Sequence, residues 1–207
     1  MVSDKSQLAT VEAVRTIVGE PHKVTPMKVM DVLDEVSIDF IRHSPFLMLS
    51  TASPDGQPDV SPKGDHPGFV KVVDSGCLLI PERKGNKLIF SLQNILANPR
   101  IGILFLVPGT EETLRVQGTA ELTSDPEILE ELAARGQPAL LAIQVAVEKC
   151  FFHCAKAFKR SQLWKPESWP NRLKISFGKL LAPKLGGDGA LAKQIDDLVE
   201  ADYKENL

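Results

Sequence analysis

The sequence predicts a small antiparallel β-barrel with helices at both ends, an α+β chain that is mainly β. Three observations carry that reading. Short aliphatic and β-branched runs recur from Phe46 to Cys154, each bounded by Gly, Pro, Asp or Ser. One of them, "TLRVQGTAEL", alternates cleanly, with Leu114, Val116, Gly118, Ala120 and Leu122 on one side and Arg115, Gln117, Thr119 and Glu121 on the other. The regular strand–helix alternation of a parallel sheet is missing.

In chain order, "SDKSQLATVEAVRTIVG" places Leu8, Val11, Val14, Ile17 and Val18 at helical spacing before a glycine stop. A second helix is predicted over "TPMKVMDVLDEVSIDFIRHSP", with Thr25 as cap, Pro26 at the first position and Pro45 ending it. "FLMLSTA", the turn "SPDG" and "QPDVSPKGD" form a predicted hairpin, followed by strands "GFVKVVD" and "CLLIP". A helix over "KLIFSLQNILANP", with Leu88, Ile89, Leu92, Ile95 and Leu96 on its apolar stripe, precedes strands "RIGILFLVP" and "ETLRVQGTAELT". "DPEILEELAARG" is a predicted helix capped by Asp125 and stopped by Gly136. "LLAIQVAVEKCFFHC" is a last long strand, after which come a basic-aromatic segment, the joint "LGGDG" and a closing helix with Ile195, Leu198 and Val199 on its apolar face. The expected division is a helical lead-in over 1–44, a barrel over 45–165 and a tail over 166–207, together one domain.

Composition narrows the function. The 207 residues are 43% hydrophobic and 25% charged with a formal charge of -3, the profile of a soluble globular protein without the basic face that nucleic acid requires. No run approaches the roughly 18 apolar residues of a membrane span, and the start of the chain lacks the apolar core of a signal peptide. Three cysteines, Cys77, Cys150 and Cys154, fit reduced thiols, so a cytoplasmic location is expected. On a strand, Cys150 and Cys154 share one face and His153 takes the other, so no metal site is expected from "CFFHC".

The most suggestive chemistry lies in "IPERKGNK". Arg83 offers a planar fork for phosphate oxygens, Lys84 a point charge, Gly85 a close backbone approach, and the helix that follows free N–H groups. A solvated basic turn is the alternative. Lys63, at the end of "SPK", can converge with Arg83 if the two strands are neighbours. "KAFKRSQLWKPESW" interleaves Lys156, Lys159, Arg160 and Lys165 with Phe158, Trp164 and Trp169, either a site for a planar phosphorylated cofactor or an amphipathic segment packed on the barrel. No nucleophile motif or catalytic triad stands out, so the catalytic residues are unassigned and any chemistry falls to a bound cofactor.

Taken in order, "IPERKGN", "NILANPRIGILF" and "LRVQGTAEL" resemble the FMN-binding split-barrel proteins related to pyridoxamine 5'-phosphate oxidase, over about residues 40 to 165. "HCAKAFKRSQLW" resembles a bacterial subgroup of that family. The resemblance implies a six-stranded Greek-key split barrel, a homodimer holding FMN at the subunit interface, and electron exchange with a small molecule. It places Lys63, Arg83, Lys84 and Asn86 near the FMN phosphate, the backbone of Ile80 and Pro81 along the flavin, and Arg115, Gln117, Arg160 and Trp164 around the cofactor. It leaves three activities open: an FMN-dependent oxidoreductase, a non-catalytic flavin- or haem-type binding protein, and pyridoxine or pyridoxamine phosphate oxidation.

Overall fold

The computed structural model describes residues 7–206. Residues 3–6, the start of the predicted first helix, lie outside them. Seven strands, β1 (Phe46–Ala52), β2 (Pro58–Gly64), β3 (Lys71–Asp74), β4 (Cys77–Glu82), β5 (Arg100–Leu106), β6 (Thr113–Thr123) and β7 (Leu141–His153), form one sheet in the order β2-β1-β5-β6-β7-β4-β3. Every pairing is antiparallel. The sheet is therefore seven-stranded and open, with β2 and β3 at its edges, where the family resemblance implied six strands. β3 and β4 are joined by the tight turn at Ser75 and Gly76, and the strand runs read from the sequence, "GFVKVVD" and "CLLIP" among them, all appear in the sheet.

Strand alternation builds one core. Leu47 and Leu49 on β1, Ile80 on β4, Phe105 on β5, Leu114 and Val116 on β6 and Val145 on β7 are fully buried in a single cluster. β1 and β4 are separated by three strands in the sheet order yet share this cluster, so the sheet curls around it and buries one face of each strand. β6 and β7 form the longest ladder, and its register shifts between Gln117 and Gly118. A side chain at Gly118 would overlap the Ala146 carbonyl, so glycine is what permits the close approach.

The helices are α1 (Val11–Val18), α2 (Glu35–His43), α3 (Phe90–Ala97), α4 (Pro126–Glu131), α5 (Lys156–Ser161), α6 (Phe177–Leu181) and α7 (Gly189–Glu205). The predicted helix over 25–45 is broken in two. Thr25–Lys28 is a single 3₁₀ turn, and the Met30 N–H and carbonyl then pair with Cys150 at the edge of β7 at 2.9 and 2.7 Å. That pairing holds the backbone extended, so the α-helix starts only where the Asp34 carboxylate accepts from the Ser37 N–H at 2.8 Å. α3 also differs from its predicted stripe. It starts at Phe90, so Leu92 and Ile95 are buried while Leu88, Ile89 and Leu96 are exposed. In α7, Ile195 and Val199 are half-buried and Leu198 is exposed.

Candidate functional site

The end of β2, the end of β4 and the start of α3 enclose a cleft of about 380 Å³. α3 is moored beside it, because Asn94 Nδ2 donates to Thr51 Oγ1 on β1 at 3.0 Å. No side chain caps α3, and the residue before it, Ile89, lies in the left-handed region at φ 49°. Lys87 is left-handed as well, at φ 61°. Left-handed backbone is rare for residues other than glycine and an outlier for β-branched isoleucine, costing on the order of 1–3 kcal/mol. Asn86 Oδ1 accepts from the Leu88 N–H at 3.0 Å and helps fix this contorted entry. Phe90, Ser91 and Leu92 line the cleft, so the positive end of α3 borders it.

Lys63 and Arg83 line the same cleft, as does Asn86. Lys63 Nζ is 2.5 Å from the Glu82 carboxylate, both groups being largely buried. Arg83 has two structural partners. Its Nε donates to Asp65 at 2.9 Å and its Nη2 to the Leu132 carbonyl at 2.8 Å, tying β4 to the β2–β3 loop and to the end of α4. Asp65 is 2% exposed at its side chain and also meets Arg135 at 3.2 Å. Burial pushes the Asp65 carboxyl up, but the His66 N–H and the two guanidinium groups outweigh it and hold the group below the usual carboxylate range.

The other predicted residues lie elsewhere. Lys84 is exposed beyond the cleft lining, and Ile80 and Pro81 are buried and paired through their backbones with Ile143 and Ala142 of β7. Arg115 lies opposite Phe151 on the β6–β7 ladder, its guanidinium 5.7 Å from the ring centroid, and Gln117 lies opposite Lys149. Lys28 approaches the same ring at 5.8 Å. Burial first, then the charges of Arg115 and Lys28, depress the pKa of nearby His153. Arg160 lies in the last turn of α5, and Trp164 stacks on Phe158 at 5.6 Å while its Nε1 donates to the Thr110 carbonyl at 2.8 Å.

Lys87, Ser91, Glu82 and Asp59 are among the cleft residues the sequence reading missed. Lys87 stands in the same basic stretch, but starting the helix there assigned it to a regular turn and hid its left-handed backbone. Glu82 carried no signal until β2 and β4 were brought together.

No curated protein matches the sequence. Among solved structures, HupZ of Group A Streptococcus is 22% identical, covering 58% of this chain and 93% of its own, with a TM-score of 0.48. A Clostridium acetobutylicum protein related to general stress protein 26, of the pyridoxinephosphate oxidase family, is 18% identical over 58% of this chain and 90% of its own, with a TM-score of 0.43. An FMN-binding protein from Syntrophomonas wolfei is 9% identical over 69% and 96%, with a TM-score of 0.44. The family model described as pyridoxamine 5'-phosphate oxidase matches residues 33–154, more than half the chain and every strand of the sheet, and the chain belongs to that family.

Proposed function

We propose that the protein is a homodimeric FMN-binding oxidoreductase exchanging electrons with a small molecule. The observation that carries this reading is the cleft at the uncapped start of α3, where Lys87 and the first-turn N–H groups offer a monoanion or dianion both charge and directed donors. Lys63 stands beside them, and its ammonium keeps donors beyond its bond to Glu82. These residues fit a phosphomonoester. Arg83 adds its field from the wall, with Nη1 left over after its bonds to Asp65 and Leu132. FMN supplies hydride and electron transfer when bound. The chain's part is to bind the phosphate, orient the rest of the molecule and exclude water.

Val60, Leu88, Ile89, Phe90 and Leu140 rim the cleft and are each more than half exposed. A second copy laid over this rim would bury them and complete the enclosure, which supports the homodimer. Light scattering is expected to give twice the 22.7 kDa chain mass.

One observation favours the second reading, a non-catalytic binding protein for flavin or haem on the same fold. Of the two carboxylates lining the cleft, Glu82 is held by Lys63, so no pair of free carboxylates is placed there for acid-base chemistry. Anaerobic mixing of FMN-loaded protein with NADH or NADPH separates the readings. Rapid bleaching of the flavin band, reversed by an electron acceptor, is expected of the oxidoreductase; a band that persists assigns the protein to binding alone. Pyridoxine or pyridoxamine phosphate oxidation is checked by direct assay of pyridoxal phosphate.

A further inference from the structure

On the other side of Arg83 lies a second cleft, of about 740 Å³, between the end of α2, the β2–β3 loop, β3 and the turn after α4. Arg42, Lys71, Arg83 and Arg135 line it against Asp65 and Glu131, so two positive charges are in excess. Both carboxylates are already engaged: Asp65 lies between Arg83 and Arg135, and Glu131 pairs with Lys71. One buried carboxylate cannot neutralise two guanidinium groups. Arg42, exposed in the last turn of α2, has no carboxylate partner among the described residues.

The turn that delivers Arg135 is strained. Ala134 and Gln137 exchange backbone hydrogen bonds at 2.9 and 3.0 Å around Arg135 at φ 53° and Gly136 at φ 72°. Asparagine or glycine is the usual first residue of such a turn, so a left-handed arginine is held there at a cost. The contact with Asp65 orients the guanidinium on the cleft wall.

We propose that this second cleft binds a small polyanion, a phosphorylated or polycarboxylate metabolite, with Arg42 and Arg135 as its main contacts. Guanidinium forks match phosphate and carboxylate oxygens bidentately, and the cleft volume lies in the range of about 300–1,000 Å³ common to small-molecule sites. Neither Arg42 nor Arg135 lines the α3 cleft, so the site stands whether or not FMN binds there.

Titration calorimetry of the full chain at low salt, with pyrophosphate and separately with citrate, tests the site. Saturable binding of at least one anion is expected, weakened about tenfold or more in Arg42→Ala and further in Arg42→Ala/Arg135→Ala, and unchanged in Lys193→Ala, a surface lysine of α7 outside both clefts. Saturation by pyrophosphate alone identifies a phosphate ligand, and by citrate alone a polycarboxylate. Arg42→Ala is the deciding variant, since Arg42 is exposed without a side-chain partner among the described residues, and its circular dichroism is expected to match the wild type. Absence of saturable binding by either anion, binding indifferent to Arg42→Ala, or an equal loss in Lys193→Ala would overturn the proposal.

Discussion

Arg83 shows how one side chain can be drawn into two roles. Its place in a basic turn suggested a phosphate clamp, but the buried Asp65 carboxylate and the Leu132 carbonyl take two of its donors. Arg83→Ala therefore leaves Asp65 with Arg135 alone, and a loss of about 2–4 kcal/mol in chemical denaturation is expected, because an under-compensated buried carboxylate is costly. Lys87→Ala, by contrast, is expected to weaken FMN binding by about 1.5–3 kcal/mol, roughly tenfold to a hundredfold, with the denaturation midpoint unmoved. Equal loss of FMN affinity in both variants, without the stability difference, would reverse these assignments. The thiols divide as clearly. Burial pushes the Cys77 and Cys150 thiols up, and Cys150 also donates to the Val32 carbonyl at 3.1 Å, whereas Cys154 is exposed. Native protein is expected to label rapidly with a maleimide at Cys154 and slowly at the other two.

The start of α3 is the element on which the proposed function turns, and it was the least legible part of the barrel. Strands β1, β5, β6 and β7 could be read from alternation and breakers because burial of one face imposes a period of two on the sequence. The left-handed Lys87 and Ile89 leave no such periodic mark. Their side chains are apolar or basic like their neighbours', and only the surrounding structure dictates φ. Likewise, nothing in "MKVM" announces that Met30 pairs with Cys150, a contact between residues 120 positions apart that overrides local helix propensity. Ile89→Gly is expected to raise stability by roughly 1 kcal/mol, since glycine adopts the left-handed backbone without a Cβ clash and Ile89 is half exposed. A fall in the thermal midpoint would show that the Ile89 side chain contributes more than the strain it imposes.

At the scale of the molecule, acid should expose the stabilising carboxylates. Asp65 and Asp34 both titrate below the usual range when folded; the Ser37 hydroxyl and N–H lower Asp34. Because their folded pKa values lie below an unfolded value of about 3.9, their contribution is fully present above about pH 5 and is lost as pH falls through the folded values. A thermal midpoint level from neutrality to about pH 5 and falling steeply below about pH 4 is expected; a midpoint unaffected by acid would remove these carboxylates from the balance. The family and the barrel-like β core were legible in the chain order of "IPERKGN", "NILANPRIGILF" and "LRVQGTAEL", whereas the ion pairs that divide the two clefts required β2, β4 and the turn after α4 to be assembled. The most direct test of the α3 cleft compares FMN with riboflavin, which lacks the phosphate, by flavin fluorescence titration of the wild-type protein. Tighter binding of FMN by about a hundredfold or more is expected from charge-assisted bonds to one phosphate. Equal affinities for the two flavins, or no uptake of either, would contradict it.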